Sequence, residues 1–183
     1  LQGFAGNCPP LPDALGANLQ AILALAQHSV GESRQLIGGL RPTVLDDFGL
    51  LKAVDKEADR LRDAGISVQW LARCEARFPS QVEIALFRIA QEAVNNTLKH
   101  ARASQVQLTL ELHEDHALLR VADNGKGFAL VQPLDTDGTR HLGLATMQER
   151  ASMLGGSLTC TSAIDGGTQL YARVPTHLNG TPQ

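Results

Sequence analysis

The sequence predicts an α/β (α+β) fold of the two-layer sandwich kind, a sheet covered by helices with a further helix on its N-terminal side. Three observations carry that expectation. Apolar residues recur with helical spacing over much of the first hundred residues, the period drops to two in the second half, and the two patterns mix without strict alternation. Strict alternation would have indicated a doubly wound parallel sheet instead. A chain of 183 residues, 43% of them hydrophobic, can bury one sizeable core with a short helical appendage and does not need two full domains.

Residues 3–12, with Cys8-Pro9-Pro10 inside them, read as a loop. Over residues 15–40 the set Leu15, Leu19, Ile22, Leu23, Leu25, Ala26, Val30, Leu36, Ile37 and Leu40 has broadly helical spacing, weakened by Gly31 and Gly38-Gly39 and ended by Arg41-Pro42. Such an amphipathic helix needs a partner surface. Asp46-Asp47 offer N-caps for a second helix through Phe48, Leu50, Leu51, Val54, Ala58 and Leu61, with Gly65 as its stop. Ile66, Val68 and Trp70 then alternate with Ser67, Gln69 and Leu71, which predicts a strand at the edge of a core.

The best helical pattern covers residues 82–98 behind Ser80, its stripe formed by Ile84, Phe87, Val94 and Leu98 with Ala90 and Ala93 between them. Val106, Leu108, Leu110 and Leu112 share one face opposite Gln105, Gln107, Thr109 and Glu111, a half-buried strand. A turn at Glu114-Asp115 leads into a strand over residues 117–122. Between residues 128 and 141 there is no periodicity, and Pro133, Asp135, Asp137 and Gly138 favour a mobile loop. A helix over residues 144–154 stops at Gly155-Gly156. Two strands, one with Leu158 and Cys160 and one with Leu170, Ala172 and Val174, close around an Asp165-Gly166-Gly167 turn.

Sixteen Lys and Arg against nineteen Asp and Glu give a formal charge of −3, which offers no electrostatic case for nucleic acid as a partner. Cys8, Cys74 and Cys160 are widely spaced and odd in number, so a reducing compartment is expected rather than a disulfide framework or a metal knot. No run approaches the roughly 18 apolar residues of a membrane span. The start, Leu1-Gln2-Gly3-Phe4, has neither an initiator Met nor the basic flank and apolar core of a signal peptide. The chain therefore reads as a piece of a longer protein, whose attachment to a membrane stays open.

Chemistry concentrates in a few places. On a helix, Glu92, Asn96 and Lys99 fall on one face. Oxygens of Glu92 and Asn96 suit Mg²⁺, which commonly reaches a protein through substrate phosphates as well, and Lys99 can offset phosphate charge. Asp123 ends a hydrophobic strand, where its carboxylate can accept from the exocyclic amine of a purine, while Gly125 and Gly127 let backbone approach the base. Gly143-Leu144 would present a helix N-terminus to phosphates. Gly166-Gly167-Thr168 would bring another strand close, with the Thr168 hydroxyl available to water or base, and Arg140 and His141 could help to neutralise phosphate.

Each of these has an ordinary alternative: a solvated helix face, an Asp-Asn-Gly turn, a hairpin turn, solvated loop residues. Gly125-Lys126-Gly127 lacks the third glycine of a dinucleotide fingerprint, and no Gly-Lys-Ser or Gly-Lys-Thr phosphate loop exists. His28, His100, His113 and His116 show no zinc spacing.

Taken in order, four runs resemble the motifs of the ATP-binding domain of bacterial sensor histidine kinases, in the GHKL superfamily. Gln91-Glu92-Ala93-Val94-Asn95-Asn96-Thr97-Leu98-Lys99-His100-Ala101 is similar to the N box, and Asp123-Asn124-Gly125-Lys126-Gly127-Phe128 to the first glycine box. Gly143-Leu144-Ala145-Thr146-Met147, with Glu149-Arg150-Ala151 and Leu154-Gly155-Gly156, resembles the second glycine box, and Gly166-Gly167-Thr168 the last nucleotide-facing motif. The third run resembles the subfamily of nitrate-responsive and desaturase-controlling sensor kinases, which usually keep a second glycine where this chain has Ala145. The likeness covers about residues 15–175.

That resemblance implies a Bergerat-type ATP-binding fold with a mixed, mainly antiparallel sheet, and ATP and Mg²⁺ as cofactors. Glu92 and Asn96 would hold the metal and, with Lys99, serve catalysis, Glu92 also aligning phosphoryl transfer. The implied nucleotide pocket comprises Asn96, Lys99, His100, Asp123 as the adenine contact, Gly125, Gly127, Phe128, His141, Leu142, Gly143, Leu144 and Thr168. Residues 128–141 would form a lid.

Gly39-Leu40-Arg41-Pro42 and Leu45-Asp46-Asp47-Phe48-Gly49-Leu50 resemble the passage that joins the dimerisation and phosphotransfer hairpin to the ATPase domain. Residues 1–41 would then be part of that hairpin, mainly its second helix, residues 42–176 the catalytic domain and residues 177–183 a tail. The usual His-Asp of the phosphoacceptor is not present. The resemblance thus implies a catalytic fragment whose intact parent passes the γ-phosphoryl group of ATP to a histidine on its dimerisation helix and then to a response regulator. The parent would be a homodimer and the fragment monomeric, a cytoplasmic domain of a protein that can be anchored in the bacterial inner membrane. Two rivals stay open: a serine kinase of the same superfamily that also binds a sigma factor, and an interaction module that holds nucleotide without phosphotransfer.

Overall fold

Pro42 opens the part of the chain described by the computed structural model, which comprises residues 42–73, 77–129 and 142–177. The loop expected over residues 3–12, the helix expected over residues 15–40, residues 130–141 with Arg140 and His141, Cys8 and Cys74 lie outside the described residues.

Helix α1 (Thr43–Asp63) starts earlier than the acidic pair suggests, so Asp46 and Asp47 lie inside it instead of capping it. Pro42 is the N-cap, extended at φ −60 and ψ 130, and its carbonyl accepts the Leu45 N–H at 2.9 Å. Leu45 is fully buried, which pins this first turn to the core. Gly49 then interrupts the helix at φ 75 and ψ 177, a conformation that costs glycine little. The Arg77 guanidinium packs beneath it, 3.1 Å from where a Cβ would stand. Beyond the break, Leu50, Ala53, Val54, Ala58 and Leu61 form one buried stripe. Gly65, at φ 82, stops the chain where the sequence predicts.

Strand β1 (Ser67–Arg73) pairs in parallel with β2 (Gln105–Leu112), which pairs antiparallel with β3 (His116–Asp123). Strand β5 (Thr168–Pro175) lies antiparallel between β3 and β4 (Ser157–Ser162), giving the order β1-β2-β3-β5-β4. The sheet is therefore mixed and mainly antiparallel, as expected. Its single parallel pair follows from connectivity, because β1 reaches β2 through helix α2 (Ser80–Asn96) and not through a hairpin. Period-two alternation sets the faces. Val106, Leu108 and Leu110, Ala117, Leu119 and Val121, and Leu170, Ala172 and Val174 are buried, while Gln107, Leu118, Arg120 and Tyr171 lie on the other face.

Helix α2 is the centre of the helical layer, between α1 and α3 (Leu142–Ser152). Val82, Leu86, Ile89, Ala90 and Val94 are fully buried on it, each of the larger ones worth roughly 1.5–3 kcal/mol of hydrophobic stabilisation. Its buried face is wider than the sequence stripe, whereas Ile84 and Leu98 are only partly covered. Helix α3 begins two residues before Leu144, and Gly155, at φ 72, follows its last turn. Among the described residues no helix is long and apolar enough to cross a membrane.

Candidate functional site

Where α2 ends, the backbone changes its hydrogen-bond period. Thr97–Ala101 form a π turn, after which Arg102 takes a left-handed φ of 52. The Thr97 hydroxyl donates back to the Ala93 carbonyl at 3.1 Å, a local bond that competes with a regular ladder. Single π turns of this kind are frequent at functional sites. Lys99 and His100 ride on this turn and are exposed, whereas Glu92 and Asn96, in the last turns of α2, are half-buried. The helix period changes after Asn96, so Lys99 sits on the π turn while Glu92 and Asn96 sit on the α-helix.

Gly143, the second residue of α3, lies directly against Glu92 and Asn96. A Cβ there would collide with Glu92 Oε1 and stand 3.4 Å from Asn96 Nδ2. The first turn of α3, whose N–H groups have no partners within the helix, is thereby set beside a carboxylate and an amide. The hard oxygens of that pair fit Mg²⁺, which takes further ligands from phosphate and water. Among the described residues no group of three or more His, Cys, Asp and Glu forms an all-protein cage for a metal.

The second cluster forms at the end of β3. The Gly125 N–H donates to Asp123 Oδ1 at 2.8 Å. Thr168 stands opposite Asp123 in the β3–β5 register, and its backbone and hydroxyl also bond the carboxylate. Burial nevertheless dominates and raises the Asp123 pKa above 3.8, against the lowering effect of the bonds from Gly125 and Thr168. A half-buried carboxylate retains acceptor capacity that suits a purine amine. Cys160 on β4 is half-buried nearby, and burial first and the Asp123 charge second push its thiol pKa up.

Close backbone approach holds this turn in place. Gly125 packs on Ala101, whose carbonyl accepts the Lys126 N–H at 2.8 Å. Gly167, at φ 72, lies against the backbone of Asp123 and Asn124, so a Cβ would stand 3.0 Å from the Asp123 carbonyl carbon and closer still to its oxygen. Asn124, which the sequence marks only as part of a turn, fastens the other side: its Oδ1 accepts from the N–H groups of Ser104 at 3.0 Å and Gln105 at 2.9 Å. Ser162 has no local sequence signal at all. It accepts the Phe128 N–H at 3.0 Å, donates to the Gly167 carbonyl at 2.9 Å and lies 3.1 Å from the Thr168 hydroxyl.

The structure thus brings Glu92, Asn96 and Gly143 together, and separately Asp123, Gly125, Gly127 and Thr168, with the Ala101–Gly125 contact between the two groups. Phe128 is 38% exposed, and Leu144 packs against the core, leaving its backbone at the helix start. Leu142 begins α3, its side chain outside the described residues, as is the whole of His141.

The family model for histidine kinase-, DNA gyrase B-, and HSP90-like ATPases matches residues 81–178, more than half of the chain. The chain belongs to this ATPase family. It is 36% identical over 143 residues to the signal transduction histidine-protein kinase/phosphatase DegS of Bacillus subtilis, a match covering 75% of this chain and 37% of DegS. It is 34% identical over 165 residues to the oxygen sensor histidine kinase NreB of Staphylococcus carnosus, covering 89% and 47%. The chain spans less than half the length of these curated relatives. Its fold is similar to that of the blue-light activated histidine kinase of Erythrobacter litoralis EL346, with a TM-score of 0.57 at 20% identity over 94% of this chain and 63% of that one. The segment matched by the ATPase family begins in α2 and ends just beyond β5, so it contains all the clustered residues, while α1 and β1 precede it.

Proposed function

We propose that this member of the ATPase family is the ATP-Mg²⁺-binding catalytic part of a two-component sensor histidine kinase, of the nitrate-responsive and desaturase-controlling type. The observation that carries the reading is the seating of Gly143 on Glu92 and Asn96, which sets a helix N-terminus beside a carboxylate and an amide. The kinases DegS and NreB among its relatives support the same direction. Residues 1–41 belong to the dimerisation and phosphotransfer region, residues 42–176 are the catalytic domain, and residues 177–183 are a tail.

Asp123 reads the adenine amine, oriented by Gly125 and Thr168, and the Asp123–Gly127 turn lies along the base. Glu92 and Asn96 hold the metal, with Glu92 also aligning the transfer. Lys99, Arg140 and His141 offset phosphate charge, His100 belongs to the nucleotide pocket, and the Gly143-Leu144 backbone faces the phosphates. Bound Mg²⁺ supplies charge neutralisation at the phosphates. Catalysis rests on positioning and charge compensation of the transferring group. The acceptor is a histidine on the parent's dimerisation helix, which passes the group to a response regulator. The parent is a homodimer whose catalytic part is cytoplasmic and which can be anchored in the bacterial inner membrane.

Incubation with γ-labelled ATP and a separately supplied phosphoacceptor domain tests this reading. Label should appear on the acceptor histidine, and the chain alone should retain none. Nucleotide binding without transfer would favour an interaction module, and label on a serine would favour the serine kinase of the same superfamily.

A further inference from the structure

One row of polar side chains crosses the sheet where the Asp123 turn begins. Asp123 on β3 stands opposite Thr168 on β5, and Thr168 stands opposite Ser162 on β4. Val121, Leu170 and Leu158, at even spacing from them along the three strands, are buried beneath the helices. By the period of two, Asp123, Thr168 and Ser162 therefore share the helix-covered face. Directly opposed side chains on one face are close enough to bond one another, and Ser162 Oγ lies 3.1 Å from the Thr168 hydroxyl. Both residues are half-buried, so their hydrogen bonds are made largely within the protein.

A hydroxyl has one proton to give and two lone pairs with which to accept. Ser162 meets three groups: the Phe128 N–H at 3.0 Å, which can only donate, the Gly167 carbonyl at 2.9 Å, which can only accept, and the Thr168 hydroxyl. Its proton goes to Gly167 and one lone pair to Phe128. The second lone pair is left for the proton of Thr168. Asp123, on the other side of Thr168, already accepts the Gly125 N–H at 2.8 Å. With the Thr168 proton taken by Ser162, the carboxylate keeps a lone pair for a ligand.

We propose that Ser162 is a positioning residue for purine selection, its oxygen taking up the Thr168 proton so that the row offers acceptors alone to the 6-position of the base. A 6-amino purine donates to such a site, whereas a 6-oxo purine meets only lone pairs. Without Ser162, the Thr168 proton either occupies the Asp123 carboxylate or turns to the base, and both outcomes favour the 6-oxo purine. Fastening the β4–β5 turn does not require the contact between the two hydroxyls. The Asp165 N–H already donates to the Lys126 carbonyl at 2.7 Å, and Gly127 packs on the Ala163 carbonyl. This inference rests on the nucleotide reading above, in which Asp123 faces the adenine amine.

The test is calorimetric binding of ADP and of IDP, which carries an oxygen in place of the 6-amino group, both with Mg²⁺. The proteins are the unaltered chain, Ser162→Ala, Ser162→Cys, Thr168→Val, and Ser162→Ala combined with Thr168→Val. The unaltered chain should favour ADP, and Ser162→Ala should lower the ratio of the two affinities roughly fivefold, the worth of one hydrogen bond. Ser162→Cys, whose sulfur accepts weakly, should lie between the two. In the Thr168→Val background there is no proton to place, so Ser162→Ala should leave the ratio unchanged. A serine that only fastens the turn would weaken both nucleotides alike. An unchanged ratio in Ser162→Ala, an equal fall in the Thr168→Val background, or equal binding of ADP and IDP by the unaltered chain overturns the proposal. Should Ser162→Ala not fold, Ser162→Cys with and without Thr168→Val makes the same comparison. Failure of the unaltered chain to bind either nucleotide overturns the nucleotide reading itself.

Discussion

Gly143 leaves no room for a side chain against the Glu92 carboxylate, since even a methyl group would meet Glu92 Oε1. Position 143 is helical, so alanine suits its backbone and stabilises the chain by up to about 1 kcal/mol, while the end of the Glu92 side chain must swing aside. Gly143→Ala should therefore melt at the same temperature or slightly higher, yet bind Mg²⁺-ADP more weakly. Thermal denaturation beside calorimetry separates the two effects, and undiminished Mg²⁺-ADP affinity would remove this approach from the account.

Asp123 links the site to pH. Burial raises its folded-state pKa above 3.8, so between that value and the raised one the folded chain holds more protons than the unfolded chain. The contribution of this group to stability falls as pH rises through that window and stays lower at neutral pH. Asp123→Asn keeps an oxygen to accept the Gly125 N–H but removes the charge. Without nucleotide, the variant should melt above the unaltered chain at pH 7, with the gap closing as pH falls toward 3.8. A gap constant with pH, or a variant that melts lower at neutral pH, would contradict the assignment of burial as the dominant cause.

Gly65 and Gly167 separate backbone strain from crowding. Both have left-handed φ, 82 and 72, but a Cβ at Gly65 meets nothing within 4 Å, whereas one at Gly167 runs into the Asp123 and Asn124 backbone. Gly65→Ala should cost about 1 kcal/mol from conformation alone. Gly167→Ala should cost clearly more, on the order of 2–3 kcal/mol, and also displace Asp123. Urea denaturation of the two variants checks the order, and equal losses would mean that the β5 turn yields without strain.

The sheet is legible in the sequence because its signal is local: Val106, Leu108 and Leu110 alternate, and the strand they predict is the strand observed. The start of α1 is not legible in that way. Capping preference at Asp46 and Asp47 is worth about 1 kcal/mol, and complete burial of Leu45 outweighs it. At the site, local runs mark Glu92, Asn96 and Asp123, but their arrangement depends on contacts between distant segments. Ser162 bridges Phe128 and Gly167 through strand pairing, and Gly143 reaches Glu92 only through the packing of α3 on α2. Neither relation has a periodic or compositional trace. The π turn after Asn96 is equally silent, since Thr97–Ala101 continue an ordinary helical pattern by composition.

Calorimetric titration with a non-hydrolysable ATP analogue and Mg²⁺ tests the central claim most directly, on the unaltered chain and on Asp123→Ala. Saturable binding at one site is expected, weakened roughly thirtyfold in Asp123→Ala by loss of one charged hydrogen bond worth about 2 kcal/mol. Absence of saturable binding at high concentration, or equal affinity in the two proteins, would contradict the assignment of the Glu92, Asn96 and Asp123 clusters to a nucleotide.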